Sequence, residues 1–567
     1  MLSSKNKSFP WGSFWLAFLF FFYFSGFYQL FLFLSAQSGF NGFRQNIYMN
    51  FLWLIPLIVF PRQTKLISIT IGTILWATSL VFLAYYAVYG QNFSQSVLFI
   101  IFESNFRESN EYLESYFSWW IIFGLLTYTI VAILLWRQIR PIVLPIKTRF
   151  ISVSILVFIV SWPLINYLFV HNSSLDKAVH AQMDRMEPVA PWHLIVGYTK
   201  YKEQLHEIEK NLLENRNLAP LENLSLKNSN IPNTLVLVIG ESTTKQKMSL
   251  YGYVRKTTPK LDKIRDDLLI FNHVYAPRPY TIETLEQVLT FADEQHPKLY
   301  LTKPTLINMM KQAAYKTFWI TNQQTQTKRN TLLTTFSKQA DEQIYLNNNR
   351  TQNAAQYDGA VIKPFKKVLS DPAKKKFIVV HLLGTHRKYE YRYPDDFALF
   401  DDAKNAPEYL KGKQLKEYNQ YDNAVLYNDY VVSELIALFK KSQSNGFMVY
   451  FSDHGEEVYD DPKHLFAGRT ESAPTEAMYS IPFIIWQSDS WKKDNKMRVI
   501  NKSATLNRFY STSDFIYTWA DLVGIHFTGF DASRSIINPL FSKHPIWIGN
   551  PDKPETLRDL RHSPLSL

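Results

Sequence analysis

The sequence contains no cysteine among its 567 residues. This absence excludes disulfide bonds, thiolate-bound zinc, iron–sulfur clusters and cysteine nucleophiles. Any metal site in this protein must therefore use nitrogen and oxygen ligands.

Charge is also absent near the N-terminus, where no Asp, Glu, Lys or Arg occurs from Ser8 to Phe43. The apolar core of this stretch, Trp11 to Ala36, exceeds the roughly 20 residues that a helix needs to cross a bilayer. The apolar part of a cleavable signal peptide is shorter, about 7 to 15 residues, so we interpret the stretch as an uncleaved span. The other candidate spans are Ile47 to Phe60, Leu66 to Val88, Ser118 to Trp136 and Phe150 to Val170.

Loop charges give an independent estimate of the number of spans, because Lys and Arg concentrate in short cytoplasmic loops. With five spans and a cytoplasmic N-terminus, the outer loops carry only Arg44 and Arg107. The inner side then carries Lys5, Lys7, Arg62, Lys65, Arg137, Arg140, Lys147 and Arg149. This bias predicts five spans, with everything after Val170 outside the cytoplasm. We therefore expect a transmembrane domain over 1–170, interfacial bridging helices over 171–232 and a domain outside the cytoplasm over 233–567.

The net charge of +12 fits nucleic acid, an anionic lipid surface or phosphorylated glycans as partners. Lysines and arginines that flank the spans account for much of it. With the apolar N-terminal third, the charge favours a membrane surface, and we expect no nucleic-acid partner.

Beyond Asn233, short β-rich runs alternate with helical patterns such as Gln414 to Lys441. This alternation predicts a layered α/β/α domain with a mostly parallel sheet. The predicted strands are Leu235 to Ile239, Thr317 to Thr321, Phe377 to Val380, Phe447 to Phe451 and Ile481 to Trp486.

Metal-ligand residue types follow three of these strands. Glu241 follows the first, the segment His381 to His386 follows the third, and Asp453 with His454 follow the fourth. Because ligands bind at the carboxyl ends of parallel strands, these groups predict a site for Zn²⁺, with Mn²⁺ as the alternative. The competing interpretation is that Asp453 caps a turn and that His454 is structural.

A candidate nucleophile lies at Thr281, which precedes the helical pattern Ile282 to Phe291. A hydroxyl at a helix N-terminus lies at the positive end of the helix dipole, where phosphate oxygens also bind. The alternative is an ordinary N-cap threonine, which is the more frequent use of the residue in that position.

Taken together, these segments resemble the lipopolysaccharide phosphoethanolamine transferases of the alkaline phosphatase and sulfatase superfamily. The matching residues are Gly240-Glu241-Ser242, Ser249 to Tyr253 with Arg255, Thr257, Thr258 and Pro259, then Thr281, His381 to His386, and Ser452 to Gly455. The family layout of five spans followed by a periplasmic sulfatase-like domain is also similar over the whole chain. The resemblance implies a multi-pass protein of the bacterial inner membrane.

The resemblance also assigns roles to individual residues. It makes Thr281 the nucleophile, His386 and His464 contacts of the transferred phosphate group, and Lys328 and Glu108 contacts of the substrates. The implied zinc ligands are Glu241, Thr281, Asp453 and His454.

The implied reaction takes phosphoethanolamine from phosphatidylethanolamine to lipopolysaccharide or lipooligosaccharide through a phospho-threonine, with a histidine protonating the leaving oxygen. Family members that modify lipid A typically contain disulfides and a Cys-Gly-Thr segment at the nucleophile. This chain has Arg278-Pro-Tyr-Thr281 instead, which is more similar to the branch that modifies core sugars.

Three rival functions remain open. A phosphoglycerol transferase of the lipoteichoic-acid or glucan type would share the anchor and the fold. A membrane scaffold with a degenerate site would bind no stoichiometric zinc. A sulfatase is disfavoured because the chain has neither a cysteine nor a Ser-x-Pro-x-Arg segment from which to make a formylglycine.

Overall fold

The computed structural model describes residues 9–34, 40–89, 118–214, 219–226, 233–323, 332–346, 357–462, 465–471, 474–494, 502–549 and 557–561. The described residues form two compact units, one containing those up to 204 and the other those from 205 onward. Each unit is considered by itself below.

The first unit is helical. Its helices are α1 (Trp11–Tyr23), α2 (Gly26–Leu34), α3 (Phe40–Asn50), α4 (Leu54–Val59), α5 (Thr64–Tyr89), α6 (Trp119–Gln138), α7 (Ile146–Ile165), α8 (Leu175–Met186) and α9 (Trp192–Glu214), the last of which continues past residue 204, where this unit ends. Short 3-10 turns cover Phe51–Trp53 and Pro61–Gln63, and one π turn covers Asn166–Val170.

Three segments of the described residues are long and apolar enough to cross a membrane, namely Pro61–Ala87, Trp119–Gln138 and Ile146–Val170. Helices α1 and α2 would add a fourth span if this pair, which is bent by 65°, crosses as one. The first unit therefore provides three or four candidate spans among the described residues.

The predicted second span, Ile47 to Phe60, is not one long helix. It is divided between the end of α3, the 3-10 turn at Phe51–Trp53 and α4. Pro56 has no backbone N–H, so it is accommodated in the first turn of α4 more easily than in the middle of a long helix. The predicted count of five spans is therefore not confirmed.

The second unit is a layered α/β domain. Its strands are β1 (Ser225–Leu226), β2 (Thr234–Gly240), β3 (Leu268–Ile270), β4 (His273–Tyr275), β5 (Lys316–Thr321), β6 (Glu342–Tyr345), β7 (Lys376–His381), β8 (Gly446–Ser452), β9 (Glu457–Val458), β10 (Ala467–Gly468), β11 (Phe483–Gln487), β12 (Phe509–Ser511), β13 (Ile525–His526), β14 (Trp547–Ile548) and β15 (Arg558–Asp559). Its helices are α10 (Pro259–Lys263), α11 (Thr281–Val288), α12 (Leu306–Gln312), α13 (Leu332–Lys338), α14 (Ile362–Leu369), α15 (Gly412–Ser442), α16 (Glu476–Tyr479), α17 (Asp489–Asp494), α18 (Lys502–Leu506) and α19 (Phe515–Val523).

Seven strands form the central sheet in the order β3-β11-β8-β2-β7-β5-β6. Strands β8, β2, β7, β5 and β6 run parallel to one another. Strand β11 is antiparallel to both β8 and β3, so the sheet as a whole is mixed. All five predicted strands are present, although the last begins at Phe483 because Pro482 cannot donate to the ladder.

The central strands are buried on both faces. Leu235, Leu237 and Ile239 of β2 pack into one apolar layer with α19, while Val236 and Val238 pack into the opposite layer with α15. Continuous apolar runs of this kind are what a sheet covered on both sides requires.

Truncation of Leu237 tests this packing. Leu237 is fully buried in β2, so Leu237→Ala should destabilise the domain by about 2–5 kcal/mol through lost burial and a residual cavity. Thermal unfolding of the purified chain in detergent measures the change. Leu399→Ala is the control, because Leu399 is 68% exposed and its truncation should cost about 0.5 kcal/mol or less. Equal effects of the two substitutions would contradict the described core.

Candidate active site

The pairing of β2 with β8 brings two acidic residues to the same edge of the sheet. The strands are parallel and in register, with Gly240 opposite Ser452. Glu241 and Asp453, the next residues in each strand's direction, therefore emerge side by side, and the Asp453 amide donates to the Gly240 carbonyl at 3.1 Å. The site lies at the carboxyl ends of the parallel strands, as predicted.

Two glycines allow the adjoining loops to approach this edge. A Cβ at Gly455 would lie 2.0 Å from the carbonyl oxygen of Ala477, so the Asp-His-Gly turn admits no side chain there. Gly384, with φ +56°, belongs to the segment after β7, and a Cβ at that position would lie 2.5 Å from the Glu241 carbonyl oxygen. Both loops thus approach neighbouring backbone too closely to admit a side chain at the glycine.

Glu241, Asp453 and His454 form a buried group whose ligand atoms all lie within 4.8 Å of one another. The Nε2 atom of His454 is 3.1 Å from Glu241 Oε1 and 3.4 Å from Asp453 Oδ2. His454 Nδ1 lies 2.8 Å from the Gly455 carbonyl and donates to it, and this bond fixes the ring so that Nε2 faces the two carboxylates.

This arrangement fits a divalent cation. Oδ1 of Asp453 accepts from the amides of Ser242 and His454, whereas the buried Oδ2 makes no hydrogen bond in the described part of the chain. A buried carboxylate oxygen without a donor requires compensation, and a cation supplies it. Two carboxylates and one imidazole are also a donor set that Zn²⁺ accepts.

The two buried carboxyl groups, Asp453 and Glu241, have pKa values shifted in opposite directions. Burial and the neighbouring charge of Glu241 raise the pKa of Asp453 to about 7. Burial alone would also raise the pKa of Glu241, but the neighbouring charge of His454 lowers it well below its usual range. The ionised carboxylate of Glu241 therefore disfavours the ionisation of Asp453, which a bound cation would relieve.

Thr281 joins this group. Its Oγ1 donates to Glu241 Oε2 at 2.9 Å and lies 3.4 Å from His454 Nε2. Thr281 is the first residue of α11, and the N-cap position belongs to Tyr280, which makes no side-chain cap bond. The N-cap interpretation of Thr281 is therefore wrong, because its hydroxyl points at a carboxylate rather than accepting from a helix amide.

His381, the last residue of β7, and His386, in the segment after it, both interact electrostatically with Glu241. His381 is buried, and neither of its ring nitrogens makes a hydrogen bond in the described residues. His386 is partly buried and has Nδ1 2.7 Å from the Arg387 carbonyl. Burial lowers the pKa of His386 to about 3, so its imidazole is neutral at physiological pH. The expected donation of a proton by a histidine would therefore require His386 to receive one first.

Three of the predicted site residues, Glu108, Lys328 and His464, lie outside the described residues. Two side chains that the sequence pattern did not indicate are present instead. Gln323 Nε2 donates to Glu241 Oε2 at 3.2 Å, and Arg469 contacts both Glu241 and His454. Each sits in a loop after a strand, and no spacing motif marks either of them.

A Sulfatase family model matches residues 233–525, a range that contains the mixed sheet and the acidic edge with its hydroxyl. Phosphoethanolamine transferase EptC of Escherichia coli is 50% identical over 556 residues, covering 97% of this chain and 96% of that protein. The chain belongs to the sulfatase family and, within it, to the phosphoethanolamine transferases.

Solved structures of related proteins agree with this assignment. The C-terminal periplasmic domain of Escherichia coli EptC, solved in a complex with zinc, matches with a TM-score of 0.59 and 54% identity, covering 61% of this chain and 98% of that one. The integral membrane lipooligosaccharide phosphoethanolamine transferase A of Neisseria meningitidis matches with a TM-score of 0.61 over 92% of this chain and 97% of that one. At 18% identity, this second likeness concerns the fold alone.

Proposed function

We propose that this protein transfers phosphoethanolamine from phosphatidylethanolamine to lipopolysaccharide or lipooligosaccharide, through a phosphoethanolamine ester on Thr281. The observation that supports this most directly is the hydroxyl of Thr281, held 2.9 Å from Glu241 Oε2 inside a buried group of metal-ligand type. The Escherichia coli relative bears the name phosphoethanolamine transferase, which gives the transferred group.

The metal in this proposal is Zn²⁺, with Mn²⁺ as the alternative. A structure of the Escherichia coli relative was solved with zinc, and the donor set of this chain fits that ion. Glu241, Asp453 and His454 would hold it together with the Thr281 hydroxyl. When bound, it would favour the alkoxide of Thr281 and neutralise charge on the phosphoryl oxygens.

In the first step, Oγ1 of Thr281 attacks the phosphorus of phosphatidylethanolamine. A bond from Oγ1 to phosphorus forms while the bond from phosphorus to the glycerol oxygen breaks, and the glycerol oxygen takes up the proton that Oγ1 loses, leaving as the hydroxyl of diacylglycerol. The helix position of Thr281 supports this step, because phosphate oxygens are favoured near the N-terminus of α11.

In the second step, a hydroxyl or phosphate oxygen of the acceptor attacks the same phosphorus, and Oγ1 of Thr281 leaves and regains its proton. His386, whose imidazole is neutral, is proposed to contact the transferred phosphate group. His464 is proposed to contact the phosphate group in both steps, and Glu108 and Lys328 are proposed to contact the substrates.

The proposed location is the bacterial inner membrane, with five spans over 1–170, bridging helices over 171–232 and the catalytic domain 233–567 in the periplasm. A reporter enzyme that is active only outside the cytoplasm should therefore function when it is fused after Leu567. A reporter that is active only in the cytoplasm, fused at the same place, should stay silent. The opposite pattern would contradict an odd number of spans.

Mass spectrometry of lipopolysaccharide tests the proposed reaction in cells. Strains with and without the gene product are compared, and fragmentation locates any added group. We expect one phosphoethanolamine to be added in the presence of the protein, on a core sugar or on lipid A. Addition of glycerol phosphate would instead establish a phosphoglycerol transferase, and an unchanged lipopolysaccharide would favour a membrane scaffold.

A further inference from the structure

Arg469 is brought to the candidate active site by a two-stranded hairpin. Strand β10 pairs antiparallel with β9, with Gly468 opposite Glu457. Strand β9 begins shortly after the Asp453–His454 turn, so the residue that follows β10 returns to that turn. Arg469 is this residue, and its side chain is only 17% exposed.

One edge of the guanidinium is anchored and the other faces the site. Nε of Arg469 lies 3.2 Å from Glu456 Oε2, and Glu456 Oε1 accepts from the Tyr389 hydroxyl at 2.9 Å. Nη1 contacts His454 Nε2 and lies 3.5 Å from Glu241 Oε1. Nη2 makes no hydrogen bond with any residue that the structure describes, so donors remain available at this end.

The same end of the guanidinium lies close to the candidate nucleophile. Both Oγ1 of Thr281 and Nη1 of Arg469 contact His454 Nε2, and both lie near the Glu241 carboxylate. A phosphorus atom attacked by Oγ1 would therefore bring its non-bridging oxygens within reach of Arg469. Guanidinium binds phosphate oxygens through paired N–H donors, a geometry that a lysine ammonium does not reproduce.

We propose that Arg469 binds the non-bridging oxygens of the phosphoryl group that Thr281 receives, an inference that rests on the function proposed above. Metal ligation through His454 Nε2 would use the lone pair that Nη1 now contacts. The Nη1 donors would then be redirected, while Glu456 keeps the Nε edge in place. Arg469 thereby holds the phosphoryl group against Oγ1 and offsets negative charge as the bonds exchange.

Arg469→Ala tests this role in the zinc-loaded full chain in detergent, with phosphatidylethanolamine as the only substrate. The rate at which the covalent phosphoethanolamine adduct forms should fall about 100- to 1000-fold, the usual effect of removing one donor to a developing charge. Bound zinc should remain at the wild-type level. Added guanidinium ion should restore part of the rate in Arg469→Ala and none in the wild type.

A purely structural arginine would behave differently. Arg534 is the matched control, since it is 20% exposed and ion-paired with Asp293 and Asp514. Arg534→Ala should lower the melting temperature without a comparable loss of adduct rate. If Arg469→Ala does not fold, Arg469→Lys keeps the charge and should retain the fold with a partial rate. Wild-type rates in the Arg469 variants, or losses that only track melting temperature, would overturn the proposal.

Binding of inorganic phosphate, measured by calorimetry, separates this inference from the proposed function. The wild type and Arg534→Ala should bind phosphate equally, and Arg469→Ala should bind it at least tenfold more weakly. If the wild type forms no adduct, the proposed function fails, and the calorimetry still decides the role of Arg469. Equal phosphate affinity in the wild type and Arg469→Ala would refute the proposed role of Arg469.

Discussion

Replacement of Thr281 by alanine is expected to abolish phosphoethanolamine transfer. In the structure, Oγ1 of Thr281 donates to Glu241 and approaches His454, so its removal deletes both the attacking atom and one proposed metal ligand. A lost N-cap would cost only about 0.5–2 kcal/mol of stability and would leave partial activity. Transfer to lipopolysaccharide by the purified variant, measured together with its melting temperature, distinguishes these outcomes.

Two further variants sharpen this prediction. Thr281→Ser retains a hydroxyl at the same position and should keep some turnover. Ser242 is the alternative nucleophile to test, because its Oγ also donates to Glu241, at 2.8 Å, yet the residue is completely buried. Ser242→Ala should still form the covalent adduct. Substantial transfer by Thr281→Ala, or loss of the adduct only in Ser242→Ala, would move the nucleophile to another residue.

Alanine at Asp453 or His454 is expected to remove bound zinc and activity together. Each side chain supplies one atom of the buried ligand group, and three or four ligands are the usual number in a zinc site. Metal content by elemental analysis and transfer activity should both fall to background in these variants. The protein should remain in the membrane fraction.

The control for this prediction is a buried carboxylate outside the site. Asp429 lies in α15 and accepts from the amides of Lys260 and Leu261 at 2.9 Å each. Asp429→Asn removes a buried charge without touching the ligand group, so its zinc content should equal that of the wild type. Full zinc retention in both Asp453→Ala and His454→Ala would show that the metal site lies elsewhere.

The interior strands of the catalytic domain were predictable because their sequences are apolar on both faces. The run from Leu235 to Ile239 has no alternation, and a strand of that kind fits the middle of a covered parallel sheet. The direction of each strand relative to its neighbours was harder to predict from the sequence. Nothing in Phe483–Gln487 marks it as antiparallel, because strand direction depends on the path of the connecting chain and not on side-chain periodicity.

The predicted membrane spans were confirmed only in part. Apolar content correctly located the segments around Thr64–Tyr89, Trp119–Gln138 and Ile146–Ile165. The run over Ile47 to Phe60 has similar composition but breaks into short helices around Pro56. Hydropathy measures whether a segment tolerates lipid, whereas helix continuity depends on backbone hydrogen bonds that a proline removes.

The candidate site was predictable where its residues directly follow strands. Glu241, Asp453 and His454 could be grouped because adjacent parallel strands end at one edge. Arg469 and Gln323 could not be assigned to the site in this way, because each reaches Glu241 from a loop whose path the sequence does not specify. The orientation of the Thr281 hydroxyl likewise depended on tertiary contact with Glu241, which local helix-capping rules do not include.

Thr281 is proposed to carry phosphoethanolamine during the reaction, and the first displacement needs no acceptor. Wild-type protein incubated with phosphatidylethanolamine alone should therefore accumulate a covalent adduct, which proteolysis and tandem mass spectrometry can locate. We expect the mass of one phosphoethanolamine on the peptide that contains Thr281, with diacylglycerol released in equal amount. A phosphoethanolamine adduct on any other residue, or release of diacylglycerol without an adduct, would contradict the account.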